Sequence, residues 1–76
     1  MGKNPSLTPQ ELKTARKALG LSADRFAATV GIADGRSVRR YESGDRAVPG
    51  PLETLLRLAD EVPQARAWLL NRASVE

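Results

Sequence analysis

Helix start and stop signals recur at short intervals along this chain. Residues 8–11, Thr-Pro-Gln-Glu, have the form of a capping box with proline at the first helical position. Ser22 and Asp34 are typical N-caps for two further helices. Glycines that stop helices follow at Gly20, Gly31 and Gly44. Because no segment alternates apolar and polar residues as a strand does, the sequence predicts an all-α fold, a compact bundle of about five short helices.

The predicted helices also have bounds. The first runs from Pro9 to about residue 19, the second follows Ser22, and the third spans 36–42 after its cap. Prolines at 49 and 51 bracket the start of the fourth helix, which ends before Pro63, where the fifth begins and runs to about residue 72. The expected organisation is a flexible arm at 1–6, one domain at 7–72 and a frayed tail at 73–76.

Composition excludes several classes of function. The 76 residues contain no cysteine and no histidine, so the commonest metal ligands, a disulfide framework and the commonest general base are all absent. We therefore expect neither an enzyme nor a metal, cofactor or small-molecule site. No apolar run approaches the length of a membrane span, and the first residues lack a secretory signal, which favours a cytoplasmic protein without a membrane partner.

Three arginines lie close together in the third predicted helix. Arg36 and Arg40 are four residues apart and share one helix face with Arg39 nearby, while Val38 and Tyr41 point to the opposite side. Arginine pairs bidentately with the acceptors on a guanine edge, and a helix fits the major groove of duplex DNA. The net charge of +3 is compatible with a polyanionic partner. A charge cluster alone is more often a solvated helix face.

Helices 2 and 3 resemble the helix-turn-helix of the phage-repressor group, the Xre/Cro-type family. The resemblance covers about residues 7–62. It is carried by Leu21-Ser22, Phe26-Ala27, Val30-Gly31, Val38, Tyr41-Glu42-Ser43-Gly44 and the basic loop residue Arg46. The resemblance implies a sequence-specific regulator that binds double-stranded DNA, with helix 3 in the major groove.

The same resemblance assigns roles to residues. Arg16, late in helix 1, would pair with Glu42 in a structural salt bridge. Arg36, Arg39 and Arg40 would read bases, with Arg39 gripping a phosphate as the alternative. The phosphate contacts would come from Ser22, Ala23, Ser37 and Arg46, where Ser37 could equally be a plain first-turn residue.

The chain departs from the family pattern at two places. The turn is one residue longer, within 33–35, which leaves the docking angle of helix 3 open, and Ala23 stands where many relatives carry glutamine. The longer turn, with residues 36–38, 41–44 and 47–49, is similar to phage regulators that repress anti-CRISPR operons. The closer likeness implies a dimeric repressor or autorepressor of a phage or mobile-element operon.

A DNA-binding domain of this size contacts only a few base pairs, so a two-fold operator needs two copies of it. We therefore expect a homodimer on palindromic DNA. Trp68, Leu69 and Leu70 in the fifth helix are the candidate interface, because tryptophan is common at interface centres. The alternative places Trp68 in the monomer core.

Other functions remain open. The chain could be an antitoxin, although it offers no long disordered segment to wrap a toxin, or a protein-interaction module whose arginines contact an acidic partner. RNA is a further possible ligand, because arginines on a helix contact any phosphate backbone.

Overall fold

The computed structural model describes residues 7–74, and these residues form five α-helices. The helices are α1 (Pro9–Ala18), α2 (Ala23–Val30), α3 (Gly35–Ser43), α4 (Gly50–Glu61) and α5 (Pro63–Ser74). Within this range the chain has no β-strand. The predicted all-α bundle of five short helices is therefore confirmed.

The first three helices begin at the caps that the sequence predicts. Thr8 and Glu11 form a reciprocal capping box, with both hydrogen bonds at 3.0 Å. The Oγ of Ser22 accepts the N–H of Arg25 at 3.1 Å, which caps α2. Each cap satisfies N–H groups that have no carbonyl partner in the first turn of a helix.

The helix ends follow the glycines closely. Gly31 and Gly44 adopt left-handed conformations, with φ of 83° and 85°, and stop α2 and α3. The other bounds shift by small amounts: α1 ends at Ala18, and α5 continues to Ser74, two residues beyond its predicted end. Ala73 was expected in a frayed tail but is buried in the last turn of α5. The predicted arm at 1–6 and residues 75–76 lie outside the described residues.

The core lies where the helices meet. Leu12 of α1, Phe26 of α2 and Val38 of α3 are fully buried in one cluster, to which α4 contributes Leu52 and Leu56. On either side of this cluster α2 packs against α3 and α5, while α3 also packs against α1. One side of α3 is thereby anchored in the core, and its other side is left outward.

None of the helices in residues 7–74 has both the length and the apolar character that a membrane crossing requires.

Candidate nucleic-acid interface

The outward side of α3 carries the three arginines together. Arg36, Arg39 and Arg40 are all exposed, and Val38 on the opposite side is fully buried. At 3.6 residues per turn, the three arginines fall within an arc of about 100°. The predicted grouping is therefore present: one face of α3 is cationic and exposed, and the other face is anchored in the core.

A largely buried ion pair holds α3 against α1. The Nε of Arg16 lies 2.7 Å from Oε2 of Glu42, and a second guanidinium nitrogen donates to Oε1 at 3.2 Å. The two side chains are only 13% and 9% exposed. Arg16 also donates to the carbonyl of Leu21 at 2.8 Å, which ties in the connection to α2. The hydrogen bond to Glu42 raises the pKa of Arg16.

The start of α3 lies unusually close to the start of α2. Gly35 is buried, and a Cβ built on it would lie 2.9 Å from the backbone nitrogen of Asp24 and would overlap the Asp24 side chain. Only glycine allows this approach without a shift. Sequence reasoning placed Gly35 in a turn and missed its packing role, because no local pattern reveals which distant residue a glycine will touch.

The N-terminus of α3 is capped by Asp34. Its Oδ1 accepts the N–H of Ser37 at 3.0 Å and the hydroxyl of Ser37 at 3.1 Å. These two hydrogen bonds, first the backbone one, lower the pKa of Asp34, and the charges of Arg36 and Arg39 lower it further. Ser37 is therefore a first-turn residue whose hydroxyl proton is engaged by the cap. Its predicted phosphate contact remains untested.

A shallow depression lies between α1, the start of α2 and the end of α3. Its lining includes Lys13, Ser22, Ala23, Arg39 and the Arg16–Glu42 pair. The side chain of Ala23 is buried, so Ala23 can offer a ligand only its main chain. Because Arg16 and Glu42 neutralise each other, Lys13 and Arg39 supply the net positive charge here. No local sequence pattern indicated that Lys13 and Arg39 would line the same depression.

Arg46 lies in the connection between α3 and α4. Its side chain is exposed, and its N–H donates to the carbonyl of Arg40 at 3.3 Å, which keeps the loop against the end of α3. Arg46 therefore lies next to the C-terminal end of α3, in the loop that follows the helix.

The three residues predicted as a dimer interface do not share a surface. Leu69 is 1% exposed and belongs to the monomer interior, so its assignment to an interface was wrong. Trp68 is 60% exposed, which excludes it from the monomer core, and Leu70 is also exposed. Since residues two apart on a helix point about 200° apart, Trp68 and Leu70 lie on opposite flanks of α5.

A second exposed apolar pair went unnoticed in the sequence. Leu58 and Val62 are both exposed at the end of α4. Val62 is the extended C-cap residue that follows α4, so the two side chains flank the C-terminal end of this helix. A periodic pattern identifies apolar faces, but it does not say which leucines another helix covers.

The described part of the chain holds no cluster of three or more acidic side chains that could coordinate a metal ion. No family model, curated protein or solved structure matches the chain. The site residues are therefore interpreted from their own geometry and chemistry.

Proposed function

We propose that this protein is a sequence-specific double-stranded DNA-binding regulator whose α3 enters the major groove. The observation that carries the proposal is the exposed face of Arg36, Arg39 and Arg40 on a helix whose opposite side is anchored by Val38. A solvated arginine cluster would not require its helix to be fixed in position. Here a largely buried ion pair, a side-chain cap and a glycine contact all hold the same nine-residue helix.

The base-reading part of the proposal rests on Arg36 and Arg40. They are one helical turn apart, so they reach base edges on neighbouring positions of one groove. A guanidinium fork pairs with O6 and N7 of guanine, which makes guanine the expected partner of each. Asp34 lowers the net positive charge at the start of α3. Its carboxylate accepts two hydrogen bonds from Ser37.

Phosphate contacts would surround this reader. Arg46 follows α3 in an exposed loop, and Lys13 and Arg39 flank the depression at the start of α2. The first-turn N–H groups of α2 add a partial positive charge there. We therefore assign Arg39 to a phosphate rather than to a base, together with the main chain at Ser22 and Ala23.

A single copy of this reader covers few base pairs, so we propose that two copies bind a palindromic operator. Leu58 and Val62 supply the contact between copies. The neighbouring Arg57 is paired with Glu53 at 3.0 Å within α4, so its charge is already balanced beside this contact. The described side chains that line the groove at Trp68 include two arginines and no carboxylate, so a symmetric contact there would oppose like charges.

In this proposal the protein represses a phage or mobile-element operon, such as one carrying an anti-CRISPR gene, in the cytoplasm of a prokaryotic cell. The residues that resemble the Xre/Cro-type helix-turn-helix support this setting. An antitoxin with the same DNA-binding face would also have to bind a toxin. A regulator that only binds DNA needs no such second partner.

The decisive experiment selects duplexes from a random-sequence DNA library on immobilised protein, in parallel with the Arg36→Gln/Arg40→Gln variant. We expect enrichment of one two-fold motif containing guanines, and its loss in the variant. A fluorescence titration then compares the selected duplex with random duplex and with an RNA duplex of the same sequence at several salt concentrations. Enrichment of no motif, or equal affinity for RNA, would refute the proposal.

A further inference from the structure

We propose that the groove between α2 and α5, centred on Trp68, is a docking site for a protein segment that presents an apolar side chain next to a carboxylate. The groove uses residues of α2 and α5, and none of the α3 arginines lines it. The inference therefore goes beyond DNA binding and stands without it.

The protein places its largest aromatic ring on the surface. The chain has one tryptophan, one tyrosine and one phenylalanine. Phe26 is completely buried, whereas Trp68 is mostly exposed. Exposure of so large an apolar ring in a small domain is costly in water, and tryptophan is the residue most enriched at the energetic centres of interfaces.

The exposed ring is also held in place. The guanidinium carbon of Arg72 lies 5.7 Å from the ring centroid of Trp68, within the range of a cation–π contact. Arg72 in turn donates from Nε to the carbonyl of Thr29 at 2.8 Å, which anchors it to α2. A ring that is ordered before binding loses little conformational entropy when a partner covers it.

The groove next to the ring has a volume of about 390 Å³. Its walls are formed by Arg25, Ala28 and Thr29 of α2 and by Trp68, Asn71 and Arg72 of α5. This space accommodates a few side chains of a peptide segment.

The charge of the lining identifies the partner's chemistry. Of the described residues that line the groove, two are arginines and none is an aspartate or a glutamate. Arg72 uses its Nε–H for Thr29, and its terminal nitrogens can still donate to a carboxylate. An apolar side chain against Trp68 with a carboxylate against Arg72 therefore satisfies both features. A second copy meeting this groove symmetrically would instead oppose arginines.

The test selects twelve-residue peptides from a random displayed library on the full-length protein. We expect the enriched peptides to contain an acidic residue close to an aromatic or large aliphatic one. Synthetic copies of these peptides are then titrated against the protein. Trp68 is the single tryptophan, so its fluorescence reports binding in the groove itself.

Two pairs of variants locate the binding. Arg72→Gln should lower the affinity for the peptides about tenfold, which is the effect of losing one charge-assisted hydrogen bond. Arg66→Gln, on the same helix but outside the groove, should leave the affinity unchanged. Ala28 is exposed in the groove, so Ala28→Glu should abolish binding of acidic peptides and Ala28→Lys should preserve it. If Arg72→Gln lowers the thermal midpoint strongly, the Ala28 pair decides alone.

Three outcomes would overturn the inference. The first is a selection whose peptides lack acidic residues or bind Ala28→Glu and Ala28→Lys equally. The second is sedimentation in which Trp68→Ala dissociates an oligomer, which would make a second copy the occupant. The third is a duplex titration in which Ala28→Glu loses as much DNA affinity as Arg36→Ala, which would make the groove a nucleic-acid surface.

Discussion

Arg16 and Glu42, 26 positions apart in the chain, form an ion pair with two hydrogen bonds that joins α1 to α3. The same arginine binds the carbonyl of Leu21 in the connection between α1 and α2. One side chain therefore sets the position of α3 relative to both preceding helices. In the proposed function this pair does not contact bases; it helps to orient the helix that carries the arginine face.

The first prediction concerns this pair. Arg16→Met should lower the free energy of unfolding by about 3 kcal/mol, because Glu42 would keep a buried charge without a partner. The double variant Arg16→Met/Glu42→Met should recover part of that loss, since no charge is then buried. Urea unfolding measures both, with Lys17→Met on the exposed side of α1 as the control. Additive losses in the double variant would contradict the pairing.

The second prediction concerns the close approach of α2 and α3. Gly35→Ala should destabilise the protein by about 1–3 kcal/mol, because the new Cβ collides with Asp24, including its backbone nitrogen. Gly50→Ala is the control: apart from its chain neighbours no atom lies within 4 Å of the added Cβ, so only crowding by Pro51 opposes it and the loss should be smaller than for Gly35→Ala. Thermal unfolding of the two variants makes the comparison. Similar midpoints would show that the two helix starts are not in contact.

The third prediction concerns pH. Hydrogen bonds from Ser37 lower the pKa of Asp34 in the folded protein, so this carboxylate stabilises the fold above its ordinary pKa of about 3.8. The stabilisation is lost as the pH falls through the lowered pKa. The Asp34→Asn variant should therefore have a lower melting temperature than the unaltered protein at neutral pH. The difference between the two melting temperatures should shrink in acid. A difference that stays constant across this range would exclude the ionised cap.

The fourth prediction separates the roles of the arginines. Arg36→Ala or Arg40→Ala should cost about 1–3 kcal/mol on the selected duplex and relax preference at one base pair per half-site. Arg46→Ala should weaken specific and random duplexes alike and reduce the salt slope by about one per phosphate contact. Arg66→Ala on α5 is the control. Uniform losses for Arg36→Ala and Arg40→Ala would leave them a purely electrostatic role.

The fifth prediction concerns self-association. Leu58→Asp should shift a dimer towards monomer in sedimentation velocity, because it places a charge in the proposed contact between copies. Trp68→Ala should leave the dimer unchanged, since its groove is assigned to another partner. The reverse result would return the dimer contact to α5.

The sequence predicted the helices well because their determinants are local. A capping side chain acts on N–H groups three residues away, and a left-handed glycine stops the helix that precedes it. Helical periodicity likewise placed Val38 on the side of helix 3 opposite the arginines, where it is buried. The grouping of Arg36, Arg39 and Arg40 on one face also follows from helical periodicity alone.

Contacts between distant residues depend on how the helices pack, and there local patterns were insufficient. The pairing of Arg16 with Glu42 came from a family resemblance and not from any local rule. Periodicity did not reveal that Leu69 would be covered while its neighbour Trp68 stayed exposed, that Gly35 would lie against Asp24, or that Lys13 would line a depression with Arg39. Helix formation depends on residues within a turn of each other, whereas burial depends on which faces meet, and only the tertiary structure decides that.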